Sequence, residues 1–162
     1  MITFFTVSQN WILSATHCFI AYPDVTNIGA LVGDHDKSIG ADTIFAAMYK
    51  IASVFKHKLY DPNTGNNDIA LVETSSYIKY NRGVGPVCLP YAFMRIVPYF
   101  DNKVLDVAGW GAEEFAGRWD KPDILKKTSL TVIPNAVCQS NTANVTSSKM
   151  CTKTQEIGRA HV

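Results

Sequence analysis

The chain has 162 residues, of which 47% are hydrophobic and 18% charged, and its formal net charge is +1. Such a composition can bury a core and excludes a disordered chain, while the near-neutral charge excludes a general polyanion binder. Lys126-Lys127 is the densest basic pair, far short of a nucleic-acid stripe, and no apolar run reaches membrane-spanning length, so neither nucleic acid nor membrane is expected as a partner.

The length predicts one domain. Ile2-Thr3-Phe4-Phe5-Thr6-Val7 is greasy enough for a signal-peptide core, but no basic segment leads it and Ser8-Gln9-Asn10 interrupts it, which argues against that reading. Apolar, β-favouring runs then follow at Trp11–Ser14, Ile28–Gly33, Ala46–Val54, Ile69–Glu73, Lys103–Ala108 and Ser129–Ile133. Turn signals separate them at Asp34-His35-Asp36, Asp61-Pro62-Asn63-Thr64-Gly65, Asn81-Arg82-Gly83 and Gly109-Trp110-Gly111. Short strands punctuated in this way predict an all-β barrel or sandwich. Helix is expected only as one turn after Ala15 and a short helix opening at Pro134-Asn135-Ala136-Val137-Cys138.

Cys18, Cys88, Cys138 and Cys151 include no CxxC pair, and no histidine stands at zinc-ligand spacing. Disulfides in an oxidising compartment are therefore expected in preference to a structural metal. Four cysteines permit three pairings, and arithmetic does not choose among them. Asn144-Val145-Thr146 is a glycosylation sequon and fits secretion.

Two residues stand out chemically. His17 ends the apolar run Trp11-Ile-Leu-Ser-Ala-Thr-His-Cys18, and Asp68 opens the run Asp68-Ile-Ala-Leu71. A serine hydroxyl is a weak nucleophile at neutral pH and needs an adjacent base, for which imidazole is suited. A carboxylate on the far ring nitrogen fixes the tautomer and stabilises the imidazolium. His35 between two aspartates reads as a solvated turn residue, His57 between lysines as a surface residue, and Trp11 and Trp110 as packing residues.

Together these segments resemble the trypsin/chymotrypsin family of serine endopeptidases, closest in wording to secreted insect members. Trp11–Cys18 resembles the family's histidine block, with Thr16 where alanine is usual. Asn67–Leu71 resembles the aspartate block, Val84-Gly-Pro-Val-Cys-Leu-Pro90 the segment linking two barrels, and Ala108-Gly-Trp-Gly111 the strand that opens the second barrel. The resemblance implies a chymotrypsin-like double antiparallel β-barrel over residues 1–155, incomplete at both ends, with about 6–90 as first barrel and linker and 91–155 as part of the second. It implies His17 and Asp68 as catalytic residues and a disulfide between Cys138 and Cys151. It also implies protein or peptide substrates, and a propeptide or light chain joined through Cys88. No cofactor or metal is expected. Asp34-His35-Asp36 resembles the start of the family's calcium loop but shows no downstream acidic partner.

The departures are as informative. No Gly-x-Ser-x-Gly occurs, the family's Gly-Asp-Ser-Gly-Gly block is absent, and Ile2 or a neighbour stands where a cysteine partner for Cys18 is expected. Ile157-Gly-Arg-Ala-His-Val162 back-translates into the opening of a common sequencing adapter, so 156–162 is expected to be a cloning-type artefact. The expectation is a fragment of a secreted serine endopeptidase, inactive as written. The alternative is a non-catalytic serine protease homologue acting as a secreted binding or cofactor protein.

Overall fold

The computed structural model describes residues 5–91, 100–115, 118–139, 145–154 and 160–161. It divides into two compact units. The first comprises Met1–Tyr60, Asp68–Leu89 and Gly109–Lys126, and the second Asp61–Asn67, Pro90–Ala108 and Lys127–Val162.

The first unit is built on a five-stranded sheet of β1 (Phe5–Thr6), β2 (Trp11–Ser14), β3 (Gly29–Val32), β4 (Ala47–Lys56) and β5 (Ala70–Thr74), in the order β1-β2-β5-β4-β3. Every pairing is antiparallel. The two-residue period of a strand decides which side chains enter the core. In β5, Ala70, Val72 and Thr74 are buried while Leu71 faces out. Ile12, Val72, Ala30, Val32, Ile51 and Ile78 form one apolar cluster with Phe19, Ala70 and Val84. Ile12 is 1% exposed at its centre, so Ile12→Ala should cost about 2–5 kcal/mol, read from chemical denaturation.

On the opposite face, register aligns Phe5 with Leu13, Leu13 with Leu71 and Leu71 with Phe55, an apolar row across four strands. Trp11 packs its ring 5.6 Å from that of Phe55. The β4–β5 register shifts by one residue between Ile51 and Ser53, where an extra residue in one strand forms a bulge. The outer edge of β1 is covered, since Val87 N donates to Thr6 O (2.8 Å) and Thr6 Oγ1 donates to Gly85 O (2.5 Å). β3 ends at Gly33, whose φ is +72° and where a Cβ would lie 2.7 Å from Phe45 O. Only glycine suits both conditions.

The acidic turn after Gly33 is organised by Asp42, a residue the sequence reading did not connect to it. Its carboxylate accepts from the amides of His35 (2.9 Å) and Asp36 (2.8 Å). His35 is exposed, as the sequence reading expects, while its carbonyl accepts from Trp110 Nε1 and from Leu125 N. A two-stranded ribbon, β7 (Glu113–Phe115) with β8 (Arg118–Asp120), belongs to the same unit.

The second unit holds a four-stranded sheet in the order β11-β10-β9-β6, from β6 (Val104–Gly109), β9 (Lys126–Ile133), β10 (Cys151–Thr154) and β11 (Ala160–His161). A short helix, α1 (Asn135–Gln139), follows β9. Cys138 on that helix and Cys151 on β10 form a disulfide with Cα atoms 6.4 Å apart. Both are buried and pack with Val145 and Ile133. Asn135 Nδ2 donates to the carbonyls of Thr146 and Lys149, each at 2.9 Å, which closes the loop inside the disulfide. Asn144 lies outside the described residues, as do Glu156–Arg159 and Val162.

Candidate active site

β2 and β5 run side by side with Ser14 opposite Ala70. The residues just past the end of β2 therefore face those just before the start of β5. After Ser14 the chain passes through extended Ala15 into a single 3-10 turn, Thr16–Phe19. Thr16 fastens that turn. It is 2% exposed, and its Oγ1 donates 2.7 Å to the carbonyl of Ile69. A buried hydroxyl needs such an acceptor. The residue that looks like a mild departure in the sequence is thus a tie between the two halves of the site, and nothing in the sequence alone signalled that bond.

On the other strand, Asn67 adopts φ +56° immediately before Asp68. Asparagine tolerates this left-handed conformation better than most residues. Asp68 then meets His17 twice: the His17 amide donates to Oδ1 at 2.8 Å, and ring Nδ1 lies 2.6 Å from Oδ2. An ionised carboxylate only accepts, so Nδ1 carries the hydrogen and Nε2 is left with its lone pair. That nitrogen is the one able to accept a proton.

Burial pushes the Asp68 carboxyl up, but hydrogen bonds from the His17 ring and amide outweigh it and hold the group below the ordinary 3.8. A carboxyl depressed on folding stabilises the native state above its unfolded value and loses that contribution as pH falls through its folded value. The His17–Asp68 pair should therefore persist as pH falls past the ordinary carboxyl value of 3.8 and part only below it. Acid titration followed through the His17 ring resonances checks this, and the low-pH transition should vanish in Asp68→Asn.

His35 and His57 take no part in this pair. Leu59 N donates to His57 Nδ1 at 3.2 Å. Among the described residues, no group of three or more His, Cys, Asp and Glu side chains is arranged to hold a metal. Likewise, no helix among them is long and apolar enough to cross a membrane. One neighbour was not anticipated as part of the site. Cys18 is a free cysteine, and its Sγ lies 3.4 Å from His17 Nε2.

The trypsin family model matches residues 3–161. The chain belongs to the trypsin family. It is 32% identical to a venom serine protease of Polistes dominula, over 94% of this chain and 54% of that protein. It is 33% identical to venom serine protease 34 of Apis mellifera (90% and 36%) and 31% identical to a trypsin of Phaedon cochleariae (91% and 54%). The chain thus spans about half, or less, of the length of these curated relatives. The solved structure of GrC superposes with a TM-score of 0.73 at 26% identity, over 92% of this chain and 61% of that one. The all-β, chymotrypsin-like fold class follows from that superposition and from the antiparallel sheets. As a family member the chain carries a trypsin-type serine-protease domain sequence.

Proposed function

We propose that this chain carries the base and the orienting carboxylate of a secreted serine endopeptidase, and that as written it is inactive. The supporting observation is the double hydrogen bond from His17 to Asp68, which leaves Nε2 as an acceptor. In such an enzyme Nε2 takes the proton of the serine hydroxyl as it attacks the scissile carbonyl, then gives it to the leaving amine. Asp68 holds the ring in the required tautomer throughout. The inactive reading is supported by the 162-residue sequence, which has no serine in a Gly-x-Ser-x-Gly context.

The substrates in this reading are proteins or peptides. Secretion is supported by the disulfide and by the relatives named as venom proteases. Cys88 is exposed and free, which suits a covalent link to a propeptide or light chain. Glycosylation at Asn144 and an adapter origin for 156–162 belong to the same proposal.

The transcript beyond the codon for Gln155 tests the reading. Gly-Asp-Ser-Gly-Gly in frame supports the protease, whereas another residue at the serine position makes the protein a non-catalytic homologue. Recovery of Glu156–Val162 from genomic sequence would sink the adapter origin.

A further inference from the structure

Asn144-Val145-Thr146 is the one Asn-x-Ser/Thr sequence in the chain, and it lies between Cys138 and Cys151. The enzyme that attaches an N-linked glycan reads the asparagine amide together with the hydroxyl two residues on, in an accessible segment. Val145 and Thr146, the residues of the sequon that the structure describes, offer little access and a committed hydroxyl. Val145 is 3% exposed and packs with the two disulfide-bonded cysteines. Its carbonyl accepts from Gln139 Nε2 at 2.7 Å, and that of Thr146 accepts from Asn135 Nδ2 at 2.9 Å. Thr146 Oγ1 donates to Asn66 Oδ1 at 2.7 Å and lies 2.9 Å from Ser148 Oγ. Asn66 is 80 positions away in sequence but in the same compact unit. That bond therefore forms only as the second unit folds, and presenting the hydroxyl afterwards means breaking it.

We propose that the Asn144 sequon accepts a glycan only before the Cys138–Cys151 disulfide closes and Thr146 bonds Asn66, so that folding of the second unit shuts its own modification site. The proposal rests on the reading of Asn144 as a glycosylation site and adds when that site is usable. In the transfer, the Asn144 side-chain nitrogen forms a C–N bond to the anomeric carbon of a polyprenyl-diphosphate-linked oligosaccharide. The C–O bond to the diphosphate breaks, the lipid diphosphate leaves, and the amide loses one proton to solvent. Cys151 follows Asn144 off the ribosome after about a second of synthesis at ~5–20 residues per second. Disulfide formation takes seconds or longer, so closure of the disulfide, and not synthesis, sets the window.

Purified chain is incubated with an oligosaccharyltransferase and a dolichyl-diphosphate-linked oligosaccharide, and transfer is read as added mass that peptide N-glycosidase removes. The native, oxidised 162-residue chain should be modified roughly 10- to 100-fold more slowly than the double variant Cys138→Ser, Cys151→Ser. Unfolding of the double variant does no harm, because an open loop is the expected acceptor. Asn66→Ala keeps the disulfide but releases the Thr146 hydroxyl, and should raise the native rate severalfold. Thr146→Ala should abolish transfer in every form, and transfer that survives it overturns the proposal. Equal rates for the native chain and the double variant overturn the proposal and leave the glycosylation reading standing, as does a native rate indifferent to Asn66→Ala. No transfer even to the double variant ends the glycosylation reading itself, and the proposal with it.

Discussion

Treated with a serine-directed fluorophosphonate, the purified 162-residue chain should take up no label, and its hydrolysis of peptide substrates should stay at the buffer rate. The probe needs a serine oxygen activated by Nε2 of His17, with oriented amides to hold the developing oxyanion. Each such donor is worth about 2.7–4 kcal/mol of transition-state stabilisation. Losing nucleophile and donors together removes more than a well-oriented His–Asp pair can restore, because these groups act as a unit. A labelled serine peptide in the digest would show that Ser14, Ser147, Ser148 or another hydroxyl had taken the role.

Removing the disulfide should be the largest change in the second unit. Cys138→Ser with Cys151→Ser opens a loop of sequence separation 13, a release that costs roughly 3 kcal/mol in the chain-entropy model. Both sulfurs are buried against Val145 and Ile133, so the serines also bury hydroxyls where none is needed, which adds to the loss. Denaturation of the double variant, followed by a probe in β9 or β10, measures the effect. Stability equal to that of the parent chain would mean that Asn135 and its bonds to the Thr146 and Lys149 carbonyls suffice to close the loop.

The strands that carry the site were legible because they obey the period-two rule over enough residues. Trp11–Ser14 is β2 as read, and Ile69–Glu73 differs from β5 by one residue at each end. The run Ala46–Val54 underestimates β4, which continues through Phe55 and Lys56 because both pair with β5. Ser129–Ile133 likewise captures only the apolar end of β9. Its first residues, Lys126 and Lys127, are polar, and Lys127 is engaged with Asp106 at 2.8 Å. β1, β7, β8, β10 and β11 were not read as strands. Each has two to four residues, too few to show alternation, and their conformation depends on partners distant in sequence.

At the site, the residue types were legible and the fastenings were not. His17 and Asp68 were picked out by motif and chemistry, yet their meeting depends on the Ser14–Ala70 register, the left-handed Asn67 and the Thr16 hydroxyl on Ile69. None of these has a signature in a single sequence. The nearness of the Cys18 sulfur to Nε2 was equally hidden, since neighbours along a chain need not face one another. The contribution of Asp42 to the turn after Gly33 spans several residues of irregular backbone, where no periodicity exists to read.

The bond from Thr16 to Ile69 has a consequence for how the pair moves. Base and carboxylate stand just beyond the Ser14–Ala70 end of one ladder, so slow breathing of the sheet should carry them together instead of shearing them apart. The opening event that separates them is the parting of β2 from β5, around buried Ile12 and Val72. Deuterium uptake at those two backbone amides should then run on the same clock as loss of the His17–Asp68 bond, making exchange at the centre of the sheet a remote readout of whether the base is in place.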